Sequence, residues 1–132
     1  MRTFYKIAAT VIMFVLALPA EGNALCQSRT ELNDIWEADD KGKYWVRQVG
    51  NNVWWMGESA DAGKTWTNVF KGVRNGNIIE GEWVDVVKKA GRGTLRLQIT
   101  SRGNAVDGFK KLSGSGSLFG ATRWFWTCRD SG

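Results

Sequence analysis

The carboxylates Glu58, Glu80, Glu82, Asp85 and Asp107 are the first residues whose chemistry could be catalytic. On an extended strand Glu80 and Glu82 point the same way about 7 Å apart, a spacing compatible with an inverting glycosidase. Ile79, Gly81, Trp83 and Asp85 occupy the other face, so the same pattern describes a solvated outer surface. No further group converges beside the pair in sequence. The 132 residues contain no His, which removes Ser-His-Asp and Cys-His nucleophile pairs and any His metal site. Two Cys cannot build a four-thiolate zinc knot. No metal and no cofactor is expected, and a carboxylate-dependent hydrolase is the third of three functional readings.

Eight Trp offer a different chemistry. Trp45, Trp54, Trp55 and Trp83, with Arg47 and Asp85 nearby, are the ligand-binding candidates. Indoles stack on sugar rings and flat ligands while polar neighbours fix orientation. Core packing competes for the same residues and accounts for half or more of them, because aromatic side chains carry the largest burial per residue. Trp54 and Trp55 are strand neighbours and face opposite sides, as do Tyr44 and Trp45, whereas Trp124 and Trp126 share a face. The pI of about 9.5 with interleaved aromatics fits single-stranded nucleic acid in principle. Export argues against that partner, and the dispersed cations read first as solubility.

Export is expected from residues 1–24. Arg2 and Lys6 form a charged start, an apolar run covers 7–19, and small residues end at Gly22-Asn23-Ala24, with cleavage after Ala20 as the competing site. The run is too short to span a bilayer, so the mature form has no membrane span. Removing 24 of 132 residues leaves 108 and takes two cations and one acid, so the net charge falls from +5 to +4. Cys26 and Cys128 then sit near the two ends, and an exported chain with two Cys usually pairs them. That bond would close a loop of about 100 residues, worth on the order of 4–5 kcal/mol.

These groups must be positioned by strands. Period-two alternation runs through 34–38, 43–49, 53–58, 65–74, 77–87, 94–100, 105–111 and 118–127, and no useful amphipathic helix appears. Turn formers separate the runs: 39–42, 50–52, Asn75-Gly76, 88–92, 101–104 and a polar, flexible 113–117. Asn75-Gly76 is the strongest hairpin signal. Eight strands on short connections predict one all-β domain over 25–132, an eight-stranded antiparallel up-and-down barrel, with an open sandwich second. A bond between the two Cys would join the same ends that closure joins.

Ser59-Ala60-Asp61-Ala62-Gly63-Lys64-Thr65-Trp66 matches S-x-D-x-G-x-T-W and resembles the Asp-box hairpin of sialidase-type propellers. The match implies a turn built on Asp61, Gly63 and Trp66. It implies no sialidase, since a propeller needs four or more blades. A longer string resembles a family of small exported bacterial proteins without an assigned activity: Y-x-V-R-Q-x-G-x-x-V-W-W (44–55), N-V-F-x-G (68–72) and G-x-W-x-D-V (81–86). The likeness covers roughly 34–127 and carries over no catalytic residue. In general shape the chain is similar to the calycin barrels, lipocalins and avidins. That likeness would let Trp36 stack on Arg123 across the closure, although the calycin G-x-W triplet is absent.

Two non-enzymatic readings lead. The first is an exported binding module presenting Trp and polar groups at one barrel mouth to a small molecule or glycan. The second is a periplasmic interaction or inhibitor protein with an envelope partner, inserting the 39–42 or 88–92 loop into a cleft.

Overall fold

A computed structural model describes residues 31–126. The leader expected at 1–24 and the bond expected between Cys26 and Cys128 lie outside the described residues. The strands are β1 (Asp34–Ala38), β2 (Lys43–Val49), β3 (Asn52–Glu58), β4 (Thr67–Asn75), β5 (Ile78–Asp85), β6 (Arg92–Arg102), β7 (Ala105–Gly116) and β8 (Arg123–Phe125). They form a closed barrel in chain order, every neighbouring pair antiparallel.

The ends of the barrel are built differently. At one end β2–β3, β4–β5 and β6–β7 are joined by Gly50-Asn51, Gly76-Asn77 and Gly103-Asn104, each glycine at φ of 58 to 60°. A positive φ at the first central residue only is the type II′ pattern, whose twist matches the flanking strands. The β4–β5 turn therefore sits one residue later than the predicted Asn75-Gly76, because Asn75 pairs with Ile78. The opposite end carries the longer connections 39–42, 59–66, 86–91 and 117–122.

Side chains fill the interior, as geometry demands of eight strands. Trp55 stacks on Phe70 at 4.1 Å and Trp124 on Phe109 at 4.8 Å, and Tyr44 meets both Trp55 and Trp124 edge-on. Each such ring contributes about 2–3 kcal/mol by leaving water. Leu32 closes the tight-turn end, accepting the Trp36 indole N–H at 2.9 Å on its carbonyl. Arg74 turns inward there and donates to the Gln48 side chain at 3.0 Å, while Arg47 stays outside.

Three expectations need correction. The stretch predicted as a flexible loop at 113–117 is mostly strand: Ser113–Gly116 of β7 pairs with Arg96–Gly93 of β6. Glycine makes this possible, since a Cβ on Gly93 would stand 1.8 Å from the Ser115 carbonyl oxygen. The last strand is three residues rather than 118–127. Before it, Phe119 and Ala121 turn inward and cap the barrel while Leu118 is fully exposed. Trp36 lies in the core and Arg123 on the outside, so the two do not stack. The seam is narrow: among the described residues β1 and β8 share only the partners Glu37–Phe125 and Ala38–Trp124. The Trp126 indole N–H donates to Asp34 across it at 2.7 Å.

Candidate functional site

Register sorts the predicted residues by face. Ile35, Trp45, Met56, Val69, Val84 and Arg92 form one cross-strand row on the outside of β1 to β6. Two residues along, Arg47, Trp54, Lys71, Glu82, Thr94 and Ser115 form a second row from β2 to β7. The positions between point inward, so a bare strip of backbone separates the rows. Over β3 to β7 this strip is a groove of about 730 Å³, lined by Trp54, Lys71, Glu82, Val69, Val84, Arg92 and Thr94, with Gly93 and Gly116 in its floor. Five strands at about 4.8 Å spacing make it about 19 Å long. A second, polar depression of about 510 Å³ follows beyond Glu82 and Thr94, with Glu80, Arg96 and Ser113 on its far side.

Trp54 is 38% exposed and stands at one end of the groove; Trp45 is half-buried in the neighbouring row. Trp55 and Trp83, also predicted as ligand-binding, turn into the core and are 3% and 4% exposed. The difference is parity alone: Trp54 and Trp55 are neighbours, and the inward position must be filled. Lys71, Arg92 and Thr94 were not singled out from sequence. Only pairing register, which brings them toward Trp54 from β4 and β6, reveals them. Glu80 and Glu82 share the outer face, and Glu80 accepts a hydrogen bond from Arg96 at 2.8 Å. Both partners are half-exposed or more, so the pair is worth about 0–1 kcal/mol.

The long-loop end holds a smaller cavity of about 180 Å³, with Asp40, Tyr44, Trp66, Asn68, Trp83, Asp85, Lys89 and Phe119 around it. Two side-chain hydrogen bonds lie along its inner wall. The Trp55 indole N–H donates to Asn68 Oδ1 at 2.9 Å, and the Tyr44 phenol donates to Asp40 Oδ2 at 2.7 Å. Burial, then the neighbouring Asp40 carboxylate, pushes the Tyr44 phenol far above its ordinary value, so it is a fixed neutral donor. Asp85, the remaining predicted candidate, accepts the Gly91 N–H at 3.0 Å.

The Asp-box turn lies beside this end. Asp61 Oδ1 accepts from the Ser59 hydroxyl at 2.5 Å and from Thr65 N–H at 3.2 Å, and Oδ2 accepts from the Thr65 hydroxyl at 2.6 Å. Gly63 takes φ +79°, and Trp66 packs on Tyr44 at 5.8 Å. The hydrogen bonds, the Ser59 hydroxyl foremost, bring the Asp61 carboxyl down to about 2. Among the described residues no cluster of His, Cys, Asp and Glu could hold a metal ion, and no helix is long and apolar enough to cross a membrane. No family model, no curated protein and no solved structure matches the chain.

Proposed function

We propose that this chain is an exported, non-catalytic binding module that holds a glycan or a comparable polar small molecule along the outer groove. The observation carrying this reading is the exposed Trp54 at the end of a 730 Å³ groove whose walls bring in Lys71, Glu82, Arg92 and Thr94 from three further strands. An indole face at one end and spaced donors and acceptors along the walls suit stacked, hydroxyl-rich rings. The aromatic filling of the barrel supports an outer rather than an internal site. The test is a Trp-fluorescence titration against soluble glycans, peptidoglycan fragments and flat aromatic ligands. A saturable shift with one class, lost in Trp54→Ala, supports the reading; a shift that survives the substitution refutes the assigned groove.

A second reading, an interaction protein with an envelope partner, is favoured by the apolar row. Ile35, Met56, Val69 and Val84 are 38–50% exposed and, with half-buried Trp45 between the first two, form a continuous row across five strands, which is unusual for a surface with no partner. Its mark would be no response across the glycan panel, together with a protein complex that Met56→Glu dissolves.

A further inference from the structure

We propose that the long-loop end of the barrel is a cage for a small alkylammonium cation, a site that shares Trp83 with the outer groove but differs from it in chemistry. Three of its walls are aromatic: Trp83 and Phe119 meet edge to face at 4.8 Å, and Trp66 leans over Tyr44. The remaining wall is acidic. Asp40 is oriented by the Tyr44 hydroxyl and the Gly42 N–H at 2.9 Å, and Asp85 by the Gly91 N–H at 3.0 Å. A carboxylate has room for about four hydrogen bonds, so each keeps acceptor capacity for a guest. The electron-rich ring faces attract the same charge that the carboxylates do. Lys89 is the only cation among the lining residues and is exposed, so the lining carries a formal charge of −1. The 180 Å³ of space is several times the roughly 30 Å³ share of one water and suits a head group rather than a polymer.

Bare backbone seats these walls. A Cβ on Gly42 would stand 2.6 Å from the Trp66 ring, and one on Gly91 would stand 2.6 Å from Asp85 Oδ2 and 2.8 Å from the Trp83 ring. The two turns thus bring ring and carboxylate together where any side chain would push them apart.

The experiment titrates the protein with choline chloride and follows the indole N–H resonances by NMR, with sodium chloride and sodium acetate as controls. The expected result is a saturable shift of the Trp66 and Trp83 resonances with choline alone, at millimolar affinity. It is weakened about tenfold by Asp85→Asn, strengthened several-fold by Lys89→Ala and unchanged by Trp54→Ala. Asp40→Asn, which keeps an acceptor for Tyr44, reads the same if Asp85→Asn does not fold. No saturation up to about 50 mM choline, well above the millimolar range, overturns the cage. So does binding of acetate that Lys89→Ala abolishes, which would make the site an anion site. Because Trp54 reports only on the groove, failure here and failure of the glycan reading remain distinguishable.

Discussion

Asn68→Ala isolates the buried hydrogen bond between Trp55 and Asn68. Asn68 is 4% exposed and accepts the Trp55 indole N–H at 2.9 Å. Truncation leaves the buried indole donor with no acceptor, which costs about 1–3 kcal/mol. A cost in the upper part of that range, about 2–3 kcal/mol, is expected. At about 4–8 °C per kcal/mol for a domain near 100 residues, the melting temperature should fall by about 10–20 °C. Urea unfolding followed by near-UV circular dichroism measures the loss, and the slope of the transition should not change. A double-mutant cycle with Trp55→Phe, which has no indole donor, should return a coupling of about 1 kcal/mol. A cost below about 0.5 kcal/mol, or an equal cost in both backgrounds, would refute the reasoning.

Trp54→Ala should cost less than about 1 kcal/mol in stability, as a partly exposed residue does, yet remove the glycan-dependent fluorescence shift. Gly93→Ala should cost about 1–3 kcal/mol or more, because its Cβ meets the Ser115 carbonyl rather than a yielding side chain; a urea melt reads this directly. The folded-state value of about 2 at Asp61 lies below its ordinary 3.8. Its contribution is therefore present above about pH 4 and lost as pH falls through about 2. Asp61→Asn should flatten the dependence of the urea midpoint on pH in that window. Asp39 behaves alike: although partial burial raises it, hydrogen bonds from the Thr122 hydroxyl and N–H leave it below its ordinary value. Thr122→Val should lower the urea midpoint near neutral pH and flatten its dependence on pH below about 4.

Strand number, order and closure were legible in the alternation because every strand buries one face and wets the other. Two segments misled for one reason: period-two patterns and turn residues are local, whereas pairing is not. Ser113-Gly114-Ser115-Gly116 has the composition of a loop, but the glycines let β7 lie against Gly93 closely enough to pair. Residues 118–122 alternate like a strand, yet Phe119 and Ala121 face inward from an irregular cap. The candidate groove was half visible. Trp54 stood out by type, but Lys71, Arg92 and Thr94 join it only through cross-strand register, which a single sequence does not state. Trp54 and Trp55 could be told apart as opposite, not as outer and inner, and a slip of one residue exchanges them.

The two-partner seam between β1 and β8 bears on the order of assembly. Asp39 and Thr122, which meet beside it, are 83 residues apart in the chain, whereas β6 and β7 join through a two-residue turn and pair over most of their length. Loop-closure entropy makes the near pairing fast and the distant one slow, so the staves should form outward from the β6–β7 hairpin and the ring should close last. Pulse-labelled hydrogen exchange should protect the amides of Gln98 and Thr100, which face β7, early and that of Asp39, which bonds the Arg123 carbonyl across the seam, only in the final phase. The stave with the fewest bonds would then govern both how slowly this protein folds and where it first comes apart.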